Sequence, residues 1–196
     1  MNTSEPDPQA VLDFWFGGPG SPEHGQVRTE WFRKDAAFDA AIAQRFGAQV
    51  EAALTGGLRN GLDEPTTALA RVIVLDQFTR NIFRGTPRAF AGDALALATA
   101  RAMVADGRDQ HLRPEQRVFA YLPFEHSEDL ATQDRSVRLF EVLATVTPAL
   151  AGMLDYAQRH HAVVARFGRF PHRNDVLGRP STAEEQAFLQ EPGSRF

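Results

Sequence analysis

At 196 residues, with 43% hydrophobic and 23% charged residues, the chain suits one soluble domain, residues 1–196, with a substantial core. A formal net charge of −4 argues against nucleic acid or an anionic membrane as partner, and the absence of cysteine excludes disulfides, thiolate metal sites and a cysteine nucleophile. The N-terminal Met-Asn-Thr-Ser-Glu-Pro-Asp-Pro lacks the basic and apolar regions of a leader, and no apolar run nears the roughly 20 residues of a membrane span, so the cytoplasm is the expected location.

Asp7 and Pro8 open a short helix as N-cap and first helical residue. It carries Val11, Leu12, Phe14, Trp15 and Phe16, and Gly17-Gly18-Pro19-Gly20 ends it. After Trp31-Phe32 a long helix runs to about Leu54, with Phe38, Ile42, Phe46, Val50 and Leu54 recurring every four residues. Gly56-Gly57 and Asn60-Gly61 turn the chain into a central helix that begins near Pro65, and Gly85-Thr86-Pro87 stops or bends it. An alanine-rich helix, Asp93 to Ala105, follows. Pro114 starts another, which Pro123 is expected to interrupt or kink. Ser127 or the acids beside it cap a helix through about Val146. Thr147-Pro148 opens one that reaches Phe167, with Gly168 as C-cap. Ser181 with Glu184, or Thr182 with Glu185, forms a capping box for the last helix. No strand alternation or sequence repeat appears, so the fold class is all-α, about eight helices joined by short loops.

The central helix organises the rest. At about 100° per residue, Leu69, Val72, Ile73 and Phe83 share one face, and Leu75, Phe78 and Ile82 the opposite one. A helix apolar on two faces is buried between neighbours. Its second half nevertheless holds Asp76, Gln77, Arg80, Asn81 and Arg84, and polar groups on a core helix require partners or a ligand. Asp76 and Arg80 are spaced to pair along the helix.

Two later stretches are candidates to face these groups in one polar pocket. In Pro123-Phe124-Glu125-His126-Ser127-Glu128, an imidazole flanked by carboxylates suits general acid–base work; the plain alternative is capping of the next helix. In Phe167-Gly168-Arg169-Phe170-Pro171-His172-Arg173-Asn174, aromatic anchors alternate with Arg169, His172, Arg173 and Asn174, a donor set suited to an anionic small molecule. The alternative is an ordered loop whose arginines pair with nearby acids. His160 and His161 both lie on apolar stripes, and spacing does not choose between them.

Glu125, His126, Glu128, His160 and His172 together offer carboxylate and imidazole groups of the kind that bind zinc, manganese or iron. No Glu-x-x-His or His-x-x-x-His pair sits within one helix, however, and no metal is assigned. Nucleophile-elbow, P-loop and dinucleotide fingerprints are absent, and the sequence names no cofactor.

Val11-Leu12-Asp13-Phe14-Trp15-Phe16-Gly17, Trp31-Phe32-Arg33-Lys34-Asp35, Leu75-Asp76-Gln77-Phe78 with Arg80-Asn81-Ile82-Phe83-Arg84-Gly85-Thr86, Pro123 to Glu128 and Phe167 to Asn174 resemble, in the same order, the bacterial family known as domain of unknown function 924. The resemblance implies an all-helical fold of antiparallel helical hairpins, like a tetratricopeptide superhelix without sequence repeats, and implies no activity. Thr79 stands where the family usually has proline, which predicts a bend near Phe78, and Gln158 where it usually has an acid.

Two functions follow as expectations. One is a small-molecule-binding protein with an enclosed polar site. There Asp76, Gln77, Arg80, Asn81, Arg84, Arg169, His172, Arg173 and Asn174 hold an anionic ligand, and His126, Glu125, Glu128 and His160 supply acid–base or hydrolytic chemistry. The other is a non-catalytic helical scaffold for a protein partner, in which the same charges form a structural network.

Overall fold

A computed structural model describes residues 7–196; the rest of the N-terminal stretch read as lacking a leader, residues 1–6, lies outside them. Among the described residues there is no strand, and no helix is long and apolar enough to cross a membrane. The chain forms two compact units. The first runs to Arg84 and includes Arg88–Pro123; the second consists of Gly85–Pro87 and Phe124–Phe196.

In the first unit, α1 (Pro8–Phe16) starts where the Asp7 carboxylate accepts from the Gln9 amide, and α2 (Ala36–Leu54) where Asp35 accepts from the amides of Ala37 and Phe38. Each cap satisfies donors that the first helical turn leaves over. α2 buries Ile42, Phe46, Val50 and Ala53. The predicted stripe is thus centred one step over at its C-terminal end, where Ala53 takes the place of Leu54. Aromatic rings knit this unit together. Phe14 stacks on Phe38 with centroids 5.3 Å apart, Phe46 lies 4.9 Å from Phe78, and Trp31 meets Phe119 at 4.8 Å.

The central helix, α3, is composite: an α-helical segment Pro65–Val72, a π-helical turn Ile73–Phe78 and a last α-helical turn Thr79–Ile82. Every residue from Ala68 to Asp76 is buried, as its two apolar faces require. The irregularity expected near Phe78 is this π turn. Thr79 contributes by donating its hydroxyl to the Leu75 carbonyl at 2.7 Å, an acceptor that a widened turn leaves available. Gly92, just before α4 (Asp93–Ala105), lies so close that a Cβ there would collide with the same Leu75 carbonyl. Pro123 does not interrupt its helix. α5 runs as Pro114–Glu125, with Pro123 so near its end that only two helical residues follow the proline.

In the second unit, α6 (Leu130–Val146) is capped by Asp129, whose carboxylate accepts from the Thr132 amide and hydroxyl. A short 3₁₀ turn at Pro148–Leu150 leads into α7 (Ala151–Phe167), and α6 and α7 pack along each other as a hairpin. Gly168, at φ +68°, ends α7 in the left-handed conformation that favours glycine. The chain then turns through buried Phe170 and a 3₁₀ turn at Pro171–Arg173. It closes with α8 (Ala183–Phe188), where Thr182 and Glu185 form the capping box.

Candidate functional site

The second unit gathers three histidines. The end of α5 leads to His126, and Gln133, fully buried on α6, donates from Nε2 to the carbonyls of Glu125 and Ser127 at 2.6 Å each. That grip sets the backbone that presents Glu125 and His126. His160, on α7, is 5% exposed and Glu125 is 4% exposed. His160 Nδ1 lies 2.9 Å from the Tyr156 carbonyl and 3.2 Å from Glu125 Oε1. A carbonyl only accepts, so Nδ1 carries the proton and Nε2 the lone pair in the neutral ring. The His126 ring lies 6.3 Å from that of His160. Phe196 stacks on His160 at 3.7 Å, with its edge toward His172 at 5.7 Å, and Phe170 lies 5.5 Å from His160 and 5.6 Å from His172.

Burial sets the protonation of this cluster. It pushes His160 down to about 3, helped by the Arg173 cation and by the neighbouring imidazoles of His126 and His172, which disfavour a further positive charge; the Tyr156 carbonyl works the other way. Burial likewise pushes His172 down to about 4, with Arg173 adding to the shift and Glu128 opposing it. Both rings are therefore neutral bases near pH 7. His172 Nδ1 is buried and has no hydrogen-bond partner among the described residues. Arg173 is buried with its guanidinium 4.5 Å above the Phe170 ring.

Other residues read as site candidates brace this arrangement. Glu128 accepts from the Phe170 amide at 2.8 Å and from both Arg179 Nη atoms at 2.6 and 2.9 Å. Burial raises its pKa, but these bonds outweigh burial and hold it below the usual carboxylate value. Arg169 grips Glu185 through two bonds of 2.6 and 2.8 Å and holds that carboxyl down to about 2. Asn174, fully buried, donates to Ser181 Oγ and accepts from Arg179 Nε, at 3.0 Å each.

The first unit holds the remaining candidates in a second set. Arg80 Nη1 lies 3.1 Å from Asp76 Oδ1, and its two Nη atoms reach the Asp93 carboxylate at 2.8 and 3.1 Å. Gln77 donates to Asp76. Asn81 and Arg84 both donate to Asp39, at 2.6 Å and twice at 2.9 Å. Burial raises the Asp39 pKa, but these donors more than reverse it. Here the arginines face carboxylates of their own unit. Among the described residues no group of three or more histidine, aspartate or glutamate side chains is placed to hold a metal ion.

Residues 11–193 match a family described as bacterial protein of unknown function, DUF924. The chain belongs to this family. Its structure is similar to that of a protein of unknown function from Agrobacterium tumefaciens, with 40% identity, a TM-score of 0.81, and coverage of 93% of this chain and 96% of that one. No curated protein matches it.

Three partners in these sites escape sequence reading of this family member. Asp39 sits inside an amphipathic helix and reads as a solvated acid. Arg179 stands alone between Gly178 and Pro180. Phe196 has no periodic neighbours. None carries a local signal, since each partner is brought in by chain folding.

Proposed function

We propose that this is a cytoplasmic protein that binds a small anionic molecule and acts on it by acid–base chemistry at the imidazole cluster of the second unit. The observation that carries this reading is the collection of His160 and His172 around Phe170 and Phe196, with His126 beside His160 and with His160 and His172 neutral near pH 7. A buried neutral imidazole is a poor structural choice unless its nitrogens are used. His172 Nδ1 has no partner among the described residues, so a substrate group is its natural acceptor or donor. Arg173 supplies positive charge beside the cluster. Glu125 orients His160 and stabilises its charged form if it takes a proton.

The scaffold reading draws on the first unit, where Arg80, Asn81 and Arg84 meet Asp76, Asp93 and Asp39 as a structural network would. It leaves the three clustered histidines without a task.

The test is ligand-observed NMR against a panel of carboxylates and phosphate esters, with the wild type, His126→Ala, His172→Ala and, as a control outside the cluster, the half-buried His161→Ala. A ligand lost in the first two variants and kept in the control supports the assignment. No ligand, or ligands indifferent to His126 and His172, overturns it.

A further inference from the structure

The first unit contains a cavity of about 200 Å³ whose lining includes none of the candidate site residues above. Its walls include Val11 of α1, Leu58 of the loop after α2, and Ala70 and Val74 of α3. Arg71 also lines it and is 7% exposed. A guanidinium carries five N–H donors and keeps its charge at any ordinary pH. Among the described residues Arg71 finds one acceptor, the hydroxyl of Thr99, to which Nη1 donates; Nε is buried with none. Thr99 is itself neutral and donates its hydroxyl hydrogen bond to the Leu95 carbonyl at 2.9 Å. Burial lowers the Arg71 pKa, and another cation, Arg59, lowers it further. In this protein Arg80, Arg84, Arg169 and Arg179 all meet carboxylates. Arg71, also buried, has no carboxylate partner among the described residues and opens onto a cavity.

A buried cation without a counter-charge is costly, and a ligand that brings the missing charge relieves that cost. The backbone at the same wall is strained as well: Leu58, at φ +58°, is the one non-glycine among the described residues with positive φ.

We propose that this cavity binds a small organic monocarboxylate, its head paired with Arg71 and its apolar body against Val11, Leu58 and Val74. The volume falls below the roughly 300–1,000 Å³ of drug-sized sites, so the occupant is small. One buried cation matches one negative charge. The Asp7 carboxylate, on the same wall and engaged in capping Gln9, disfavours a doubly charged phosphate. Thr67 adds a hydroxyl at the wall that serves the second carboxylate oxygen.

Acetate, isovalerate and phenylacetate, the neutral isovaleramide, and inorganic phosphate are titrated into the full-length protein and followed by amide NMR. The expected result is saturable shifts at Val11, Thr67 and Val74 with isovalerate or phenylacetate. Isovaleramide should bind at least about tenfold more weakly, the loss of one charge-assisted contact. Arg71→Met should weaken the acid by a similar factor while leaving the helical circular dichroism intact. The acid–amide comparison uses the wild type, so it stands even if that variant fails to fold. Absence of saturable shifts with all three acids, equal affinity for acid and amide, or phosphate binding as tightly as the acids would overturn the assignment.

Discussion

Glu125 Oε1 and His160 Nδ1 face each other at 3.2 Å, with both side chains almost completely buried. The contact joins the end of α5 to the middle of α7. It places a neutral imidazole, its other nitrogen bearing a lone pair, in the midst of two further histidines.

The pH dependence of stability follows from that burial. His160 and His172 fall from 6.5 to about 3 and about 4 in the folded protein, so the unfolded chain binds the extra protons. Their contribution is fully present above pH 6.5 and is lost as pH falls from 6.5 toward the folded values. The slope should reach about 1.4 kcal/mol per pH unit for each proton. Between pH 6.5 and about 5.5 ordinary carboxylates remain largely ionised, so urea denaturation in that window reports mainly the imidazoles. His172→Gln should flatten the slope by about one proton.

Glu128→Gln should loosen the turn around Phe170. The substitution replaces a charge-assisted double contact to Arg179 and weakens the acceptor of the Phe170 amide. A loss of about 1–3 kcal/mol is expected. A double-mutant cycle with Arg179→Ala, read by chemical denaturation, should show coupling between the two sites.

Gly92→Ala and Gly47→Ala should move stability in opposite directions. A Cβ at Gly92 meets the Leu75 carbonyl at the π turn, whereas one at Gly47, inside α2, meets nothing within 4 Å. The first should cost about 1–3 kcal/mol by overpacking. The second should stabilise by about 0.5–1 kcal/mol through helix propensity. Midpoints of urea denaturation compare them directly.

Arg80→Ala should act on folding before it acts on any ligand. It removes the cation beside the fully buried Asp76 carboxylate and beside Asp93. A destabilisation of about 3 kcal/mol is expected, measured by denaturation. Retained stability with lost ligand binding would instead place Arg80 at a binding surface.

The sequence by itself determined what depends on near neighbours. Asp7, Asp35, Asp129 and the Thr182–Glu185 box cap helices through bonds two or three residues long. The two apolar faces of residues 68–76 follow from helical periodicity alone. Local geometry is enough for such features, so the all-α class and most helix ends are legible in the chain. Tertiary structure decided the rest. His160 and His161 both sat on apolar stripes, yet packing of α7 on α6 buries the first and leaves the second outside with Asp134 at 2.8 Å. Arg84 meets Asp39 across 45 positions and Arg179 meets Glu128 across 51, distances over which residue spacing carries no information. Arg71 reads as one more arginine on a core helix. Only the folded chain shows that among the described residues no carboxylate pairs with it, because a counter-charge is a matter of position in space, not of order along the chain.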